Sequence, residues 1–191
     1  MTYSWVNKIK LETLIGKGEN DILQFESPGE HAEVYIKDGT IEKVIFKKEG
    51  NSPVTIIAHD AQKIIVGKGN TERNVYHYLK PNGPAPTMRL GITVHNGEGT
   101  WSSLPHEFEL NTEPGFEEIF FYILTGGNKK GIQVGKGVWC DNSEVDAVWP
   151  IKDHAFGVVP MGYHPVVGEP GVRVSYIWVY LAKEKKWEKI K

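Results

Sequence analysis

Three segments of the chain carry side chains that could share a divalent cation. His106 stands in Trp101-Ser102-Ser103-Leu104-Pro105-His106-Glu107-Phe108-Glu109, Glu117-Glu118 opens the aromatic run Ile119-Phe120-Phe121-Tyr122, and His164 ends Val159-Pro160-Met161-Gly162-Tyr163-His164. A histidine, a glutamate at the next strand and a second histidine after a Pro-x-Gly turn match how a β-barrel offers imidazole and carboxylate to one metal ion. Strand alternation sends Glu117 and Glu118 to opposite faces. Glu118 is expected to point into the barrel, which leaves Glu117 as the solvated edge charge.

The remaining reactive types read more plainly. His31, His59, His77, His95 and His154 are expected to be structural, as lone histidines usually are, with His154 kept as a candidate proton shuttle. Cys140 is the single cysteine. It can form no intramolecular disulfide, no local signature marks it as a nucleophile, and it reads as packing in a reducing compartment. Gly-Lys-Gly recurs at Gly16, Gly67 and Gly135 without a fixed period, and none continues as Gly-Lys-Ser/Thr, so these are turns and not phosphate loops. Trp101, Trp139, Trp149 and Trp178 could stack on a sugar, but aromatic residues of this kind are mostly core.

Positioning such residues requires rigid strands, and the composition supplies them. The 191 residues include 21 Gly, 11 Pro, 8 Tyr, 7 Phe and 6 Trp, a mixture of turn punctuation and strand-favouring bulk. A formal charge of -2 leaves no basic excess for a phosphate backbone, so nucleic acid is not an expected partner. No run is apolar enough for a membrane span, and the N-terminus has no apolar leader core; a cytoplasmic protein is expected.

Glu33–Lys37 and Ile41–Phe46 read as a hairpin around Asp38-Gly39, and Val54–Ala58 and Lys63–Val66 as the next two strands. Val75–Leu79 precedes a Pro/Gly break at 81–86. Beyond it, strands are predicted at Met88–Val94, Ile119–Leu124, Gly131–Val134, Phe156–Pro160 and Val172–Leu181. Many short strands separated by turns predict an all-β sandwich or small barrel. The charged tail after Leu181 reads as a solvated terminus.

At Gly99-Thr100-Trp101-Ser102-Ser103-Leu104-Pro105, Glu117-Glu118-Ile119-Phe120-Phe121-Tyr122 and Gly162-Tyr163-His164-Pro165, the sequence resembles the 5-deoxy-glucuronate isomerases of myo-inositol catabolism. These are cupins related to the uronate isomerases of pectin breakdown. The resemblance implies a cupin-like double-stranded β-helix, or jelly-roll barrel, over residues 73–191. It implies that residues 1–72 are additional N-terminal strands left from a first cupin lobe, since family members carry two.

The resemblance also implies a metal site from a His-x-His pair, a glutamate and a final histidine. Glu118 and His164 match the last two. At the His-x-His position stands either His106-Glu107-Phe108, with a gap beside Pro105, or Glu107 and Glu109 without it. The first alignment leaves His106, Glu118 and His164, a set able to hold zinc, manganese, iron or nickel; the second gives an acidic set suited to manganese; a third outcome is no metal. The implied reaction is aldose–ketose isomerisation of a sugar acid. By residue type alone, and not from any matched motif, Glu117, Glu109 or His154 would move the proton and Arg173 or Arg89 would hold the carboxylate, while Tyr163, beside His164, would contact the sugar. The alternatives are a cupin enzyme of different chemistry, such as a dioxygenase, and a non-catalytic sugar-binding or structural cupin. Exposed strand edges would be covered in a homodimer.

Overall fold

The computed structural model describes residues 11, 13–19, 21–102, 117–138, 144–158 and 164–182. Apart from one turn of 3-10 helix at Gly69–Thr71, the regular structure among them is strand. No helix among the described residues is long and apolar enough to cross a membrane.

The first sheet is an antiparallel meander of β1 (Ile15–Glu19), β2 (Ile22–Ser27), β3 (Glu30–Lys37), β4 (Thr40–Lys48) and β5 (Val54–Ile57), in that order. The predicted hairpin is β3–β4. Its two-residue turn sets Asp38 and Gly39 at φ 51° and 73°, the left-handed pair whose twist matches that of the flanking strands. Period-two burial along β3 sends Ala32, Val34 and Ile36 to one face.

The second sheet contains β6 (Gln62–Val66), β7 (Arg73–Leu79), β8 (Met88–His95), β10 (Glu118–Thr125), β13 (Ala155–Val158) and β15 (Arg173–Leu181), ordered β13-β10-β15-β8-β7-β6. The third holds β9 (Trp101–Ser102), β11 (Gly131–Val138), β12 (Glu144–Ile151) and β14 (Val166–Gly168), ordered β12-β11-β14-β9. Second and third sheets face each other as the barrel, and the first sheet covers the second sheet's outer face. The all-β, cupin-like barrel with additional N-terminal strands is therefore the fold.

Two cores follow from alternation on β8, β10 and β15. Leu90, Ile92, Phe121, Ile123, Ile177 and Val179 pack outward against Leu23, Phe25, Val34 and Phe46 of the first sheet. Phe120, Tyr122, Val174, Tyr176 and Trp178 point inward against Ile151 and Val166 of the third. Gly91 serves the inner core. A Cβ there would collide with the Trp178 indole and the Tyr76 carbonyl, so only glycine lets the ring lie across β8.

The seam between the first two sheets is held by buried carboxylates. Glu30 accepts hydrogen bonds from the backbone N–H of Thr87 and Met88, at 3.0 and 2.9 Å, and from the Thr87 hydroxyl. Glu117 accepts from Thr13 N, Thr13 Oγ1 and Leu14 N, the last at 2.6 Å. Tyr78 adds a hydrogen bond to the Ile41 carbonyl at 2.6 Å. Strand β6, read from the sequence with the residues before 73, pairs with β7, so a boundary at residue 72 falls between two hydrogen-bonded strands.

Candidate active site

Glu118 opens β10 and shares its inward face with Phe120, Tyr122 and Leu124. Its register partner on β15 is Tyr180, whose own partner on β8 is Arg89, so three polar side chains begin the inner face at one end. His164 lies two residues before the third sheet's β14. Val134 N–H donates to the Pro165 carbonyl at 2.9 Å and ties this segment to β11. Sheet pairing thus carries a residue remote in sequence to Glu118. His164 Nε2 lies 3.7 Å from Glu118 Oε2, with the side chains only 5% and 11% exposed.

The surroundings fix both groups. The Phe120 ring stands edge-on to the His164 imidazole, centroids 5.7 Å apart at 79°. Gln133, fully buried on β11, donates Nε2 to the His164 carbonyl at 3.4 Å and accepts a short hydrogen bond from the Tyr122 hydroxyl. Burial pushes the Glu118 carboxyl up to about 8, the response expected of a carboxylate removed from water. A buried carboxylate oxygen and an imidazole nitrogen at this spacing are atom types from which divalent transition-metal sites are built. Among the described residues no third ligand joins them.

Other sequence candidates go elsewhere. Glu117 is buried, not solvated, because alternation turns it to the outer face where the Thr13-Leu14 backbone needs an acceptor. That corrects both its expected exposure and its candidacy as a proton shuttle at Glu118. His154 sits in a turn at φ 53°, half-exposed, edge-on to Phe121 of the outer core and 3.0 Å from Asp153, hence on the wrong side of β10. Burial disfavours the Asp153 charge, yet hydrogen bonds from Lys129, the Leu124 N–H and His154 hold its carboxyl below the ordinary value.

Arg173 is exposed and pairs with Thr125, seven residues along β10 from Glu118, so about 24 Å away on a strand rise of ~3.4 Å. Arg89 is buried, and its guanidinium donates to the Ala85, Pro86 and Met88 carbonyls, which holds the Pro/Gly loop. His106, Glu109 and Tyr163 lie outside the described residues. Sequence reading missed Gln133 and Tyr122 as supports of His164; their strand positions were visible, but the pairing of β11 with β14 was not.

The sequence pattern of one known family, KduI/IolB, matches residues 25–191. The chain belongs to the KduI/IolB family. Among curated members, it is 32% identical over 174 residues to a 5-deoxy-glucuronate isomerase of Geobacillus kaustophilus (strain HTA426), covering 88% of this chain and 59% of that protein. The enzyme of the same name from Bacillus subtilis (strain 168) is 29% identical over 126 residues, 64% of this chain and 45% of that one. The chain thus spans about three-fifths or less of the length of these KduI/IolB relatives. A crystal structure of an IolB-like protein from Salmonella typhimurium LT2 shares the fold, with a TM-score of 0.59 at 20% identity over 93% of this chain and 75% of that one.

Proposed function

We propose that the chain is a metal-dependent sugar-acid isomerase of the 5-deoxy-glucuronate isomerase type, interconverting aldose and ketose. The observation that carries this reading is the buried Glu118–His164 pair facing into the barrel. Family membership and the name borne by the relatives support the substrate class.

Glu118 and His164, with His106, would hold zinc, manganese, iron or nickel, which when bound supplies positive charge to the sugar's carbonyl and hydroxyl oxygens. Isomerisation moves one proton between adjacent carbons, and a positioned base must carry it. With Glu117 and His154 engaged on the outer face, that role passes to Glu109 among the acids and bases read from the sequence. Phe120 keeps water from one side of His164, and Gln133 fixes the backbone from which the imidazole projects. Tyr163 remains the proposed sugar contact.

The first sheet is read as the remnant of a first cupin lobe, and the chain as cytoplasmic. The edges of β5 and β6, unpaired among the described residues, where Val54, Ile57 and Ile65 are exposed, are assigned to a homodimer contact. Turnover of 5-deoxy-glucuronate by protein loaded with each metal in turn, lost in Glu118→Gln, tests the reading. Metal-free protein without turnover would transfer the chain to the sugar-binding cupins. Oxygen consumption would transfer it to the dioxygenases.

A further inference from the structure

We propose that Arg73 and His95 form a second ligand site, which holds a small carboxylate inside the barrel at the end opposite Glu118. Arg73 begins β7 and His95 ends β8, directly across from each other in register. Both side chains lie on the inner face, and they are 4% and 1% exposed.

The Arg73 guanidinium makes one hydrogen bond among the described residues, from Nη1 to the Thr71 carbonyl at 2.7 Å. Among the described residues no carboxylate reaches it within ion-pair distance. A buried guanidinium that meets no carboxylate among the described residues is strongly disfavoured, so this end of the barrel favours an anion. His95 independently marks the same place. Both ring nitrogens are buried with no hydrogen-bond partner among the described residues, although a buried polar atom is almost always satisfied.

The wall beside them is polar. Tyr176 stands edge-on to His95 at 6.0 Å, and its hydroxyl lies 3.2 Å from the buried Ser102 hydroxyl. Burial first, and the Arg73 charge second, push the His95 imidazole down to about 4, so at neutral pH the ring has one N–H to donate. A guanidinium fork, a neutral imidazole and hydroxyls suit a planar, two-oxygen anion. Water could satisfy His95 but would leave the charge of Arg73 uncompensated.

This site is separate from the proposed active site. His95 lies six residues along β8 from Arg89, which shares a row with Glu118, a strand distance of about 20 Å.

The test uses the full chain in carboxylate-free buffer, with acetate as the probe and chloride at equal ionic strength as the control. Equilibrium titration followed by thermal unfolding should show a saturable rise in Tm with acetate and none with chloride. Glu118→Gln should keep that response, which distinguishes this site from the isomerase reading. Arg73→Met should weaken acetate binding by about tenfold or more while folding at least as stably without the anion. Should Arg73→Met fail to fold, His95→Phe takes its place, with the same loss of binding expected. No response to acetate, an equal response to chloride, or an undiminished response in the substituted protein would overturn the proposal.

Discussion

Glu117 and Glu118, adjacent in sequence, face opposite sides of one sheet: Glu117 receives the Thr13-Leu14 backbone on the outer side, and Glu118 meets His164 at 3.7 Å on the inner side. The pleat alone separates their environments. One carboxylate therefore belongs to the seam between sheets, the other to the interior of the barrel.

Glu117→Ala is expected to cost about 2–3 kcal/mol of folding stability, because three donors on Thr13 and Leu14 lose a buried acceptor. Urea unfolding measures it. Glu118→Gln should change stability by less than about 1 kcal/mol, since a neutral isostere replaces a carboxyl that burial already disfavours as an anion. Equal losses from the two variants would show that the seam does not depend on Glu117.

His164→Ala should lower isomerase kcat/KM by more than about 100-fold, beyond what is typical when a supporting partner of a metal ligand is lost. Gln133→Leu removes the hydrogen bond to the His164 carbonyl and should cost about 10- to 100-fold. Steady-state kinetics beside metal analysis would separate loss of the cation from misplacement of the imidazole. A fully active His164→Ala would remove His164 from the site.

Acid should destabilise the fold through His95. The folded imidazole is held near 4, against an ordinary value of 6.5. Between those two pH values the unfolded chain binds a proton that the folded chain refuses, so stability is full above 6.5 and falls as pH drops toward 4. The loss should approach about 3 kcal/mol. His95→Phe, with no proton to bind in either state, should flatten that part of the pH–stability curve in carboxylate-free buffer.

Gly91→Ala should cost about 2–4 kcal/mol, because the new methyl meets the Trp178 ring on one side and the Tyr76 carbonyl on the other. Trp178→Phe removes the colliding ring atoms, so the double variant should be less destabilised than the sum of the single ones. Simple additivity, measured by denaturant unfolding, would show that Trp178 is not what demands a glycine.

Local signals in the sequence reached far into the fold. β-branched runs around Asp38-Gly39 specified β3–β4 because a two-residue left-handed turn leaves the chain only one way to continue. Apolar runs located β7, β8, β10, β11, β13 and β15 for the same local reason. β1 and β2 escaped notice, as did β12, whose polar positions and Pro150 mask its pattern. Strands Val54–Ile57 and Gln62–Val66 looked like consecutive neighbours, yet they join different sheets, since partners are chosen by which faces can be buried together.

An all-β chain, the motif that places Glu118 and His164 in one family's pattern, and the opposed faces of Glu117 and Glu118 all follow from the linear order of residues. Those properties depend on residue type and on a period of two. Long-range packing alone brings Glu118 and His164 within 3.7 Å, turns Glu117 and His154 to the outer side, and sets Arg73 across from His95 on the inner face. Each is a contact between segments far apart in the chain or across a sheet, set by strand pairing and by the burial of two faces at once. No local pattern encodes that.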